Sequence, residues 1–427
     1  MMDSTPIKES IMDSLLHFAF AGARGIRVTS SPTDWNAFVN LAIEHKVTAL
    51  VACALLHSTE LDCPASSKEY LLNTVRFSAA ANLVRRQRIL GLIDALSKDG
   101  FRVQVLKGYA VAECYAHPEC REAIDADVLI DPYQEGNIYE YLLSKGFSVS
   151  QRSSTSHHGV CQHPKYGVIE IHVRLYDEIV EEIWFRGMKY CETAMHPPSI
   201  VRIDHYNVPT LNETDQLIFL SLHMVKHFIS GGISIRMLLD IALWFANNGQ
   251  KIDSGRYWNV MERLKYKKLI NCILGIAILY GGFEQTDFPG MEPPQLELIK
   301  EILVDLERGG YMGSKEIEER HESSMEYNRI LMRKENSYVQ YLKYMILWKV
   351  RSASIHMFPG KKQLINKYPF ASKSLIHEAA ARLYQACSYP IEKISTGIIF
   401  KQIRTETTFI TQIAKERLRL IKDLDMV

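Results

Sequence analysis

Asp125 and Asp127 stand two residues apart at the head of the apolar run Val128-Leu129-Ile130. In an extended strand that spacing sends both carboxylates to one face, while Ala126, Val128 and Ile130 go to the other. Downstream, Val168-Ile169-Glu170-Ile171-His172 repeats the alternation, with Glu170, His172 and Arg174 on one side and Ile169, Ile171, Val173 and Leu175 on the other. A neighbouring strand carrying Glu170 would add a third acid. Three hard oxygen ligands with room for phosphate oxygens suit Mg²⁺ or Mn²⁺, whereas Zn²⁺ prefers His and Cys. Two such ions stabilise the entering and leaving oxygens when a nucleotidyl group leaves an NTP with loss of pyrophosphate. In that chemistry Asp125 and Asp127 hold the metals, and Glu170 binds the second ion or takes the acceptor's proton.

The residues ahead of the pair have matching tasks. Lys107-Gly108 falls between a strand-like run and a helical one. A glycine there lets backbone N–H groups approach a triphosphate, whose negative charge a helix start favours. Arg121, four residues before Asp125, could clamp a phosphate through its planar fork. For the D-x-D triplet taken alone the alternative is a turn or a solvated strand end.

The elements that must hold these residues are legible as changes of period. Apolar residues recur at helical spacing from Ile11 to about Lys98, and Asp99-Gly100 closes that section. Val103–Leu106 then reads as a strand, Gly108–Cys114 as a helix, Asp127–Ile130 as a strand and Asn137–Ser144 as a helix. Phe147–Ser150 and Val168–Leu175 read as further strands, joined by a polar hairpin or mobile loop over Arg152–His158. Strand, helix, strand, helix indicates a small mixed sheet backed by helices. After Pro209 the helical period returns, opening on Asn212-Glu213-Thr214-Asp215. The expected fold class is α+β, a small mixed-sheet core embedded in a mainly helical chain. Its divisions are a helical section over 1–100, the core over 101–210, a helical domain over 211–307, a flexible linker over 308–336 and a helical section over 337–427.

The composition excludes several classes. Fifty basic and forty-nine acidic residues leave a formal charge of +1 over 427 residues, so no global field draws in nucleic acid. The eight cysteines never fall in a C-x-x-C pair and read as reduced packing residues. The first residues lack the basic-then-apolar order of a secretory signal. The longest apolar stretch, Leu269–Tyr280, is broken by Asn271 and Gly275 and is too short to span a bilayer. A cytoplasmic location without a transmembrane segment is the expectation.

Other candidates carry open alternatives. His223 and His227, four apart on a helix, share one face; they form a polar seam with Arg236 and Asp240, or a metal pair, and a cleft position would bring them to substrate. His172 could orient a carboxylate or nucleotide, or be a satisfied strand histidine. His157, His158 and His163 sit in the polar loop, where metal binding is not expected. Trp244 and Phe245 read as core rather than as a stacking platform for a base.

Together, Val105-Leu106-Lys107-Gly108, Tyr115-Ala116-His117-Pro118 with Arg121, Asp125-Ala126-Asp127-Val128-Leu129-Ile130 and Val168-Ile169-Glu170-Ile171-His172 resemble the bacterial uncharacterised nucleotidyltransferase family of the polymerase β-like superfamily. Leu222-His223-Met224-Val225-Lys226-His227, Arg236-Met237-Leu238-Leu239-Asp240, Met357-Phe358-Pro359-Gly360 and Tyr368-Pro369 are similar to its later segments. The resemblance implies a nucleotidyltransferase core, Mg²⁺ dependence and an undefined acceptor. The superfamily's usual Gly-Ser is replaced by Lys107-Gly108-Tyr109, and Ala126 stands where a larger aliphatic is usual. Lys107, Gly108, Tyr109, Arg121 and His172 are the expected phosphate and nucleotide contacts. A small acceptor such as a sugar or sugar phosphate is favoured. The alternatives are toxin-type transfer to a protein or tRNA, and a nucleotide-binding or assembly module without catalysis.

Overall fold

The computed structural model describes residues 10–58, 60–122, 125–152, 156–177, 180–181, 184–185, 198–334 and 411–427, with positions 377, 381, 382 and 384. The chain divides into two compact units, residues 1–321 with 419–427 and residues 322–418. All the candidate residues named above fall in the first.

That unit opens with four helices, α1 (Ile11–Arg24), α2 (Trp35–Glu44), α3 (Thr48–His57) and the long α4 (Ala65–Lys98). Asp34 caps α2, its side chain accepting from the backbone N–H groups of Asn36 and Ala37. The sheet strands follow: β1 (Val103–Val105), β2 (Asp125–Ile130), β3 (Ser148–Ser150), β4 (His158–His163), β5 (Gly167–His172), β6 (Ser199–Ile203) and β7 (Tyr206–Thr210). Between them lie the single-turn α5 (Tyr109–Ala112) and α6 (Glu135–Ser144). The strands form one seven-stranded mixed sheet in the order β3-β4-β5-β2-β1-β7-β6. β2 runs antiparallel to β1 and parallel to β5.

One face of the sheet is packed. Val103, Val105, Ala126, Val128, Ile130, Cys161, Ile169 and Ile171 meet Ile89, Leu92, Ile93 and Leu96 of α4 and Ile138 and Leu142 of α6 in a continuous core. The alternation that puts these residues inward puts Asp125, Asp127, Glu170 and His172 on the other face. β5 ends at His172, so the strand expected to reach Leu175 stops three residues early.

The helical part of this unit contains α7 (Glu213–Ser230), α8 (Ile235–Asn248), α9 (Ser254–Arg263), α10 (Lys267–Gly281) and α11 (Leu296–Gly309). The expected start of α7 is capped by Asn212, whose side chain accepts from the Asp215 backbone N–H at 2.9 Å. Nearly every other α7 side chain is buried, which leaves His223, Lys226 and His227 as its partly open stripe. Trp244 and Phe245 are core residues at 3% and 0% exposure.

Two expectations are corrected. The polar stretch around His158 and His163 is strand β4, in which the buried positions are Gly159 and Cys161. A side chain at Gly159 would collide with the Tyr139 hydroxyl. The period-2 signal was therefore carried by a glycine and a cysteine, not by the β-branched residues that usually mark a strand. The stretch 308–336 expected as a linker contains α12 (Ile317–Lys334). Its start is anchored by buried Arg320, which reaches Asp305, Glu316 and the Gly231 carbonyl; a charge-rich composition was concealing a satisfied buried network. The helical section expected over 337–427 lies outside the described residues as far as 410, apart from isolated positions, and then holds a helix over Gln412–Asp423. Among the described residues no helix is long and apolar enough to cross a membrane.

Candidate active site

Parallel pairing of β2 with β5 sets Asp125 opposite Val168 and Asp127 opposite Glu170. Because pairing fixes the face, the acids of two strands separated by some forty residues of chain meet without help from side-chain freedom. Asp127 is buried, and its Oδ1 lies 3.3 Å from Lys107 Nζ and 3.1 Å from His172 Nε2. His172 Nε2 is also 3.4 Å from Glu170 Oε2. Asp127, Glu170 and His172 each place one ligand atom within 4.8 Å of the other two. Asp125 begins the strand on the wall of the adjoining cleft.

That cleft is lined by Lys107, Gly108, Arg121, Glu122, Asp125, Asp127, Leu220, His223, Arg236, Met237 and Asp240. Its two β2 aspartates differ in charge environment. Burial, with Asp127 and Glu170 nearby, raises Asp125 above the usual aspartate value. Burial acts the same way on Asp127, but Lys107 and His172 outweigh it and hold that carboxylate well below its usual range. Hydrogen bonding to His172 is the main cause of a lowered Glu170. The result is a pair of acids pushed apart in affinity for protons, a pattern found where carboxylates share a functional site.

The sequence-derived residues are placed unequally. Gly108 adopts φ 63° and ψ −105°, and a Cβ on it would meet nothing within 4 Å. The position needs glycine for its backbone and not for lack of space. Gly108→Ala is thus expected to strain the Lys107–Gly108 junction by about 1–3 kcal/mol with no steric clash, lowering the denaturant midpoint; an unchanged midpoint would show that the junction relaxes freely. Arg121 lines the cleft, but its fork is engaged by Asp240, with Nε to Oδ1 at 2.7 Å and Nη2 to Oδ2 at 2.6 Å. Tyr109 is corrected: its side chain belongs to the sheet core, and burial pushes its hydroxyl up to about 12. Arg236 is on the cleft wall, donating to the Glu122 carbonyl at 2.6 Å.

His223 lines the same cleft, its Nε2 3.4 Å from Lys107 Nζ. Burial, then Lys107, His227 and Lys226, push it well below the ordinary histidine range. His227 packs against His223 with ring centres 4.6 Å apart, and burial with Lys226 and Lys107 lowers it to about 3. Both rings are therefore neutral near pH 7.

Four residues were missed or misjudged. Lys226 lies in the field of Asp177, Lys107, Glu170 and Asp127, with burial lowering its affinity for protons; its place three residues after His223 on the same helical face was the available signal. Asp177 pairs with His157 at 2.9 Å. His157 and His158, read as loop histidines, gather with His172, each with one ring nitrogen within 4.8 Å of the others. His163 is elsewhere, between Phe147 and Tyr166.

His172 supplies a pH test. Burial alone would lower it, yet Asp127 and Glu170 raise it above the ordinary 6.5. A group raised in the folded state contributes its stability fully below the unfolded value and loses it as pH climbs through the folded one. The stability gap between wild type and His172→Gln is therefore expected to be widest below the ordinary histidine value of 6.5 and to narrow as the pH rises through the raised folded one. Urea midpoints in EDTA measure it, and a gap independent of pH would mean that the folded imidazole is neutral.

The family model described as uncharacterised nucleotidyltransferase matches residues 31–281 of this chain. The crystal structure of an antigenic nucleotidyltransferase-like protein from Paracoccidioides brasiliensis aligns with 46% of this chain and 96% of its own, at 14% sequence identity and a TM-score of 0.30. No curated protein matches significantly.

Proposed function

The chain belongs to the uncharacterised nucleotidyltransferase family, and we propose that it transfers a nucleoside monophosphate from an NTP to a small hydroxyl- or phosphate-bearing acceptor, with Mg²⁺ or Mn²⁺ and release of pyrophosphate. The observation that carries this reading is that Asp125, Asp127 and Glu170 share one face of two parallel strands, with Asp125 and Asp127 lining a cleft that has Lys107, Gly108 and Arg236 on its wall. Their oxygens are a donor set that fits Mg²⁺, and Asp125, Asp127 and Glu170 would hold it. When bound, the metal supplies charge stabilisation to the phosphoryl oxygens in the displacement.

The chain's own residues do the rest. Lys107 keeps Asp127 ionised and brings a cation to the edge of the cleft, where the triphosphate charge is to be met. Arg236 is fixed by the Glu122 carbonyl with its cationic group on the same wall. His223, neutral and on the cleft wall, can accept a hydrogen bond that orients the acceptor's hydroxyl. Arg121 acts through Asp240, holding the segment before β2 against α8. The near-neutral chain favours a small acceptor over tRNA, whose binding calls for a basic surface.

The test is pyrophosphate release from each NTP with Mg²⁺ or Mn²⁺ and a pool of small-molecule acceptors, followed by identification of the α-labelled product. Labelled small-molecule product is expected. Labelled tRNA or protein instead would move the acceptor to the toxin-type class. Thermal stabilisation by NTP with no release in any pool would leave a nucleotide-binding module and overturn the transfer reading.

A further inference from the structure

We propose that His157, His158 and His172 form a second cation site, adjoining Asp127 and Glu170 through His172 but not including Asp125, that takes a transition-metal ion of the Zn²⁺ class. The inference stands on geometry around β4 and β5 and does not depend on nucleotidyl transfer.

The backbone brings the three imidazoles together. His158 and His172 are direct partners in the antiparallel β4–β5 pair. His157 is pinned next to them: its carbonyl accepts from the Val173 N–H at 3.0 Å and its own N–H donates to Asp177 Oδ1 at 3.0 Å. Ring centres stand 4.4 Å apart for His157 and His158, 5.0 Å for His158 and His172, and 5.2 Å for His157 and His172.

The nitrogens divide into an inner and an outer set. On the outside, His157 Nδ1 is 2.9 Å from Asp177, His158 Nε2 is 3.7 Å from Glu170 and His172 Nε2 is 3.1 Å from Asp127. Of these contacts the one from His172 to Asp127 is a hydrogen bond; a carboxylate beside the imidazole is the usual support of metal-binding histidines. On the inside, His157 Nε2 and His158 Nδ1 lie 3.2 Å apart. Two nitrogens held at 2.0–2.1 Å by one tetrahedral ion would stand about 3.3 Å apart. The remaining nitrogen, His172 Nδ1, is buried with no hydrogen-bond partner, as is His157 Nδ1 beside Asp177, a state that native structures seldom leave unexplained. Assigned as the third donor, it completes a three-histidine set with a fourth position for water or a substrate oxygen. Imidazole donors select Zn²⁺ and its neighbours over Mg²⁺, so the two sites differ in the ion each takes. The competing arrangement is a proton shared between His157 and His158.

The experiment is calorimetric titration of chelator-stripped full-length protein with Zn²⁺, without nucleotide, for wild type, His157→Ala, His158→Ala and Asp125→Asn. Wild type is expected to take one tightly bound ion per chain. Either histidine variant should weaken it by at least about 100-fold, and Asp125→Asn should leave it unchanged. Co²⁺ loaded into wild type needs no variant to fold and should give the strong visible absorption of a four-coordinate nitrogen-ligated ion. Weak six-coordinate Co²⁺ bands, or Zn²⁺ affinity indifferent to both histidines, would overturn the site. Loss of Zn²⁺ in Asp125→Asn would overturn its independence of Asp125. Because no readout uses turnover, failure here and failure of the transferase reading are distinguishable.

Discussion

Asp125→Asn is expected to lower nucleotidyl transfer by about three orders of magnitude, roughly 4 kcal/mol of barrier, and to leave the fold intact. Asp125 sits on the cleft wall at the start of β2, where burial and the charges of Asp127 and Glu170 already work against its ionisation. Asparagine keeps the shape and removes one like charge, so stability should hold or rise slightly. A carboxylate raised in this way costs folded-state stability above its unfolded value of 3.8, and the variant is relieved of that cost at neutral pH. Asp127→Asn is the contrast. It withdraws the charge that faces Lys107 and His172 in a buried setting, so transfer and stability should both fall. Pyrophosphate release rates and denaturant midpoints for the two variants separate these effects. Undiminished release by Asp125→Asn would remove that residue from the chemistry and the metal-binding pair with it.

The parts of this site that could be read in the sequence are those written in local periodicity. β1, β2 and β5 carry clean alternation, and the packed and open faces follow from it residue by residue: Ala126, Val128 and Ile130 inward, Asp125 and Asp127 outward. Gly108 and the Asn212 cap are likewise local signals. Relations that depend on which distant segments meet were not legible. Arg121 stands 119 residues from Asp240, and nothing around Arg121 tells a phosphate clamp from a buried ion pair. β4 was hidden because its inward positions are Gly159 and Cys161. With that strand unrecognised, its histidines read as loop residues, whereas antiparallel pairing sets His158 directly opposite His172. Tyr109 follows the glycine at the cleft, but the first turn of α5 swings its ring into the sheet core.

Removing either partner of the Arg121–Asp240 pair is expected to cost about 3 to 5 kcal/mol of stability, the largest loss foreseen for a single substitution in this unit. Both side chains are buried, the guanidinium is bidentate, and the Tyr115 hydroxyl donates to Asp240 Oδ1 at 2.6 Å. Burial pushes Asp240 upward, but Arg121 outweighs it and holds the carboxylate below its ordinary 3.8. That contribution is present above the unfolded value and drains as the pH falls through the folded one, so wild type should lose it only in acid. Arg121→Ala strands a carboxylate in the interior, and Arg121→Lys keeps the charge without the fork and should recover little. The double variant Arg121→Met, Asp240→Leu removes both charges and should regain much of the lost stability, as apolar replacements of buried pairs do. It also decides what Arg121 is for. If the arginine braces the segment ahead of β2, the refolded double variant should keep the KM for NTP within a few-fold of wild type. A clamp on a phosphate would instead give a stable protein whose KM rises by two orders of magnitude or more, and that outcome would return Arg121 to the phosphate-binding set from which its pairing with Asp240 removes it.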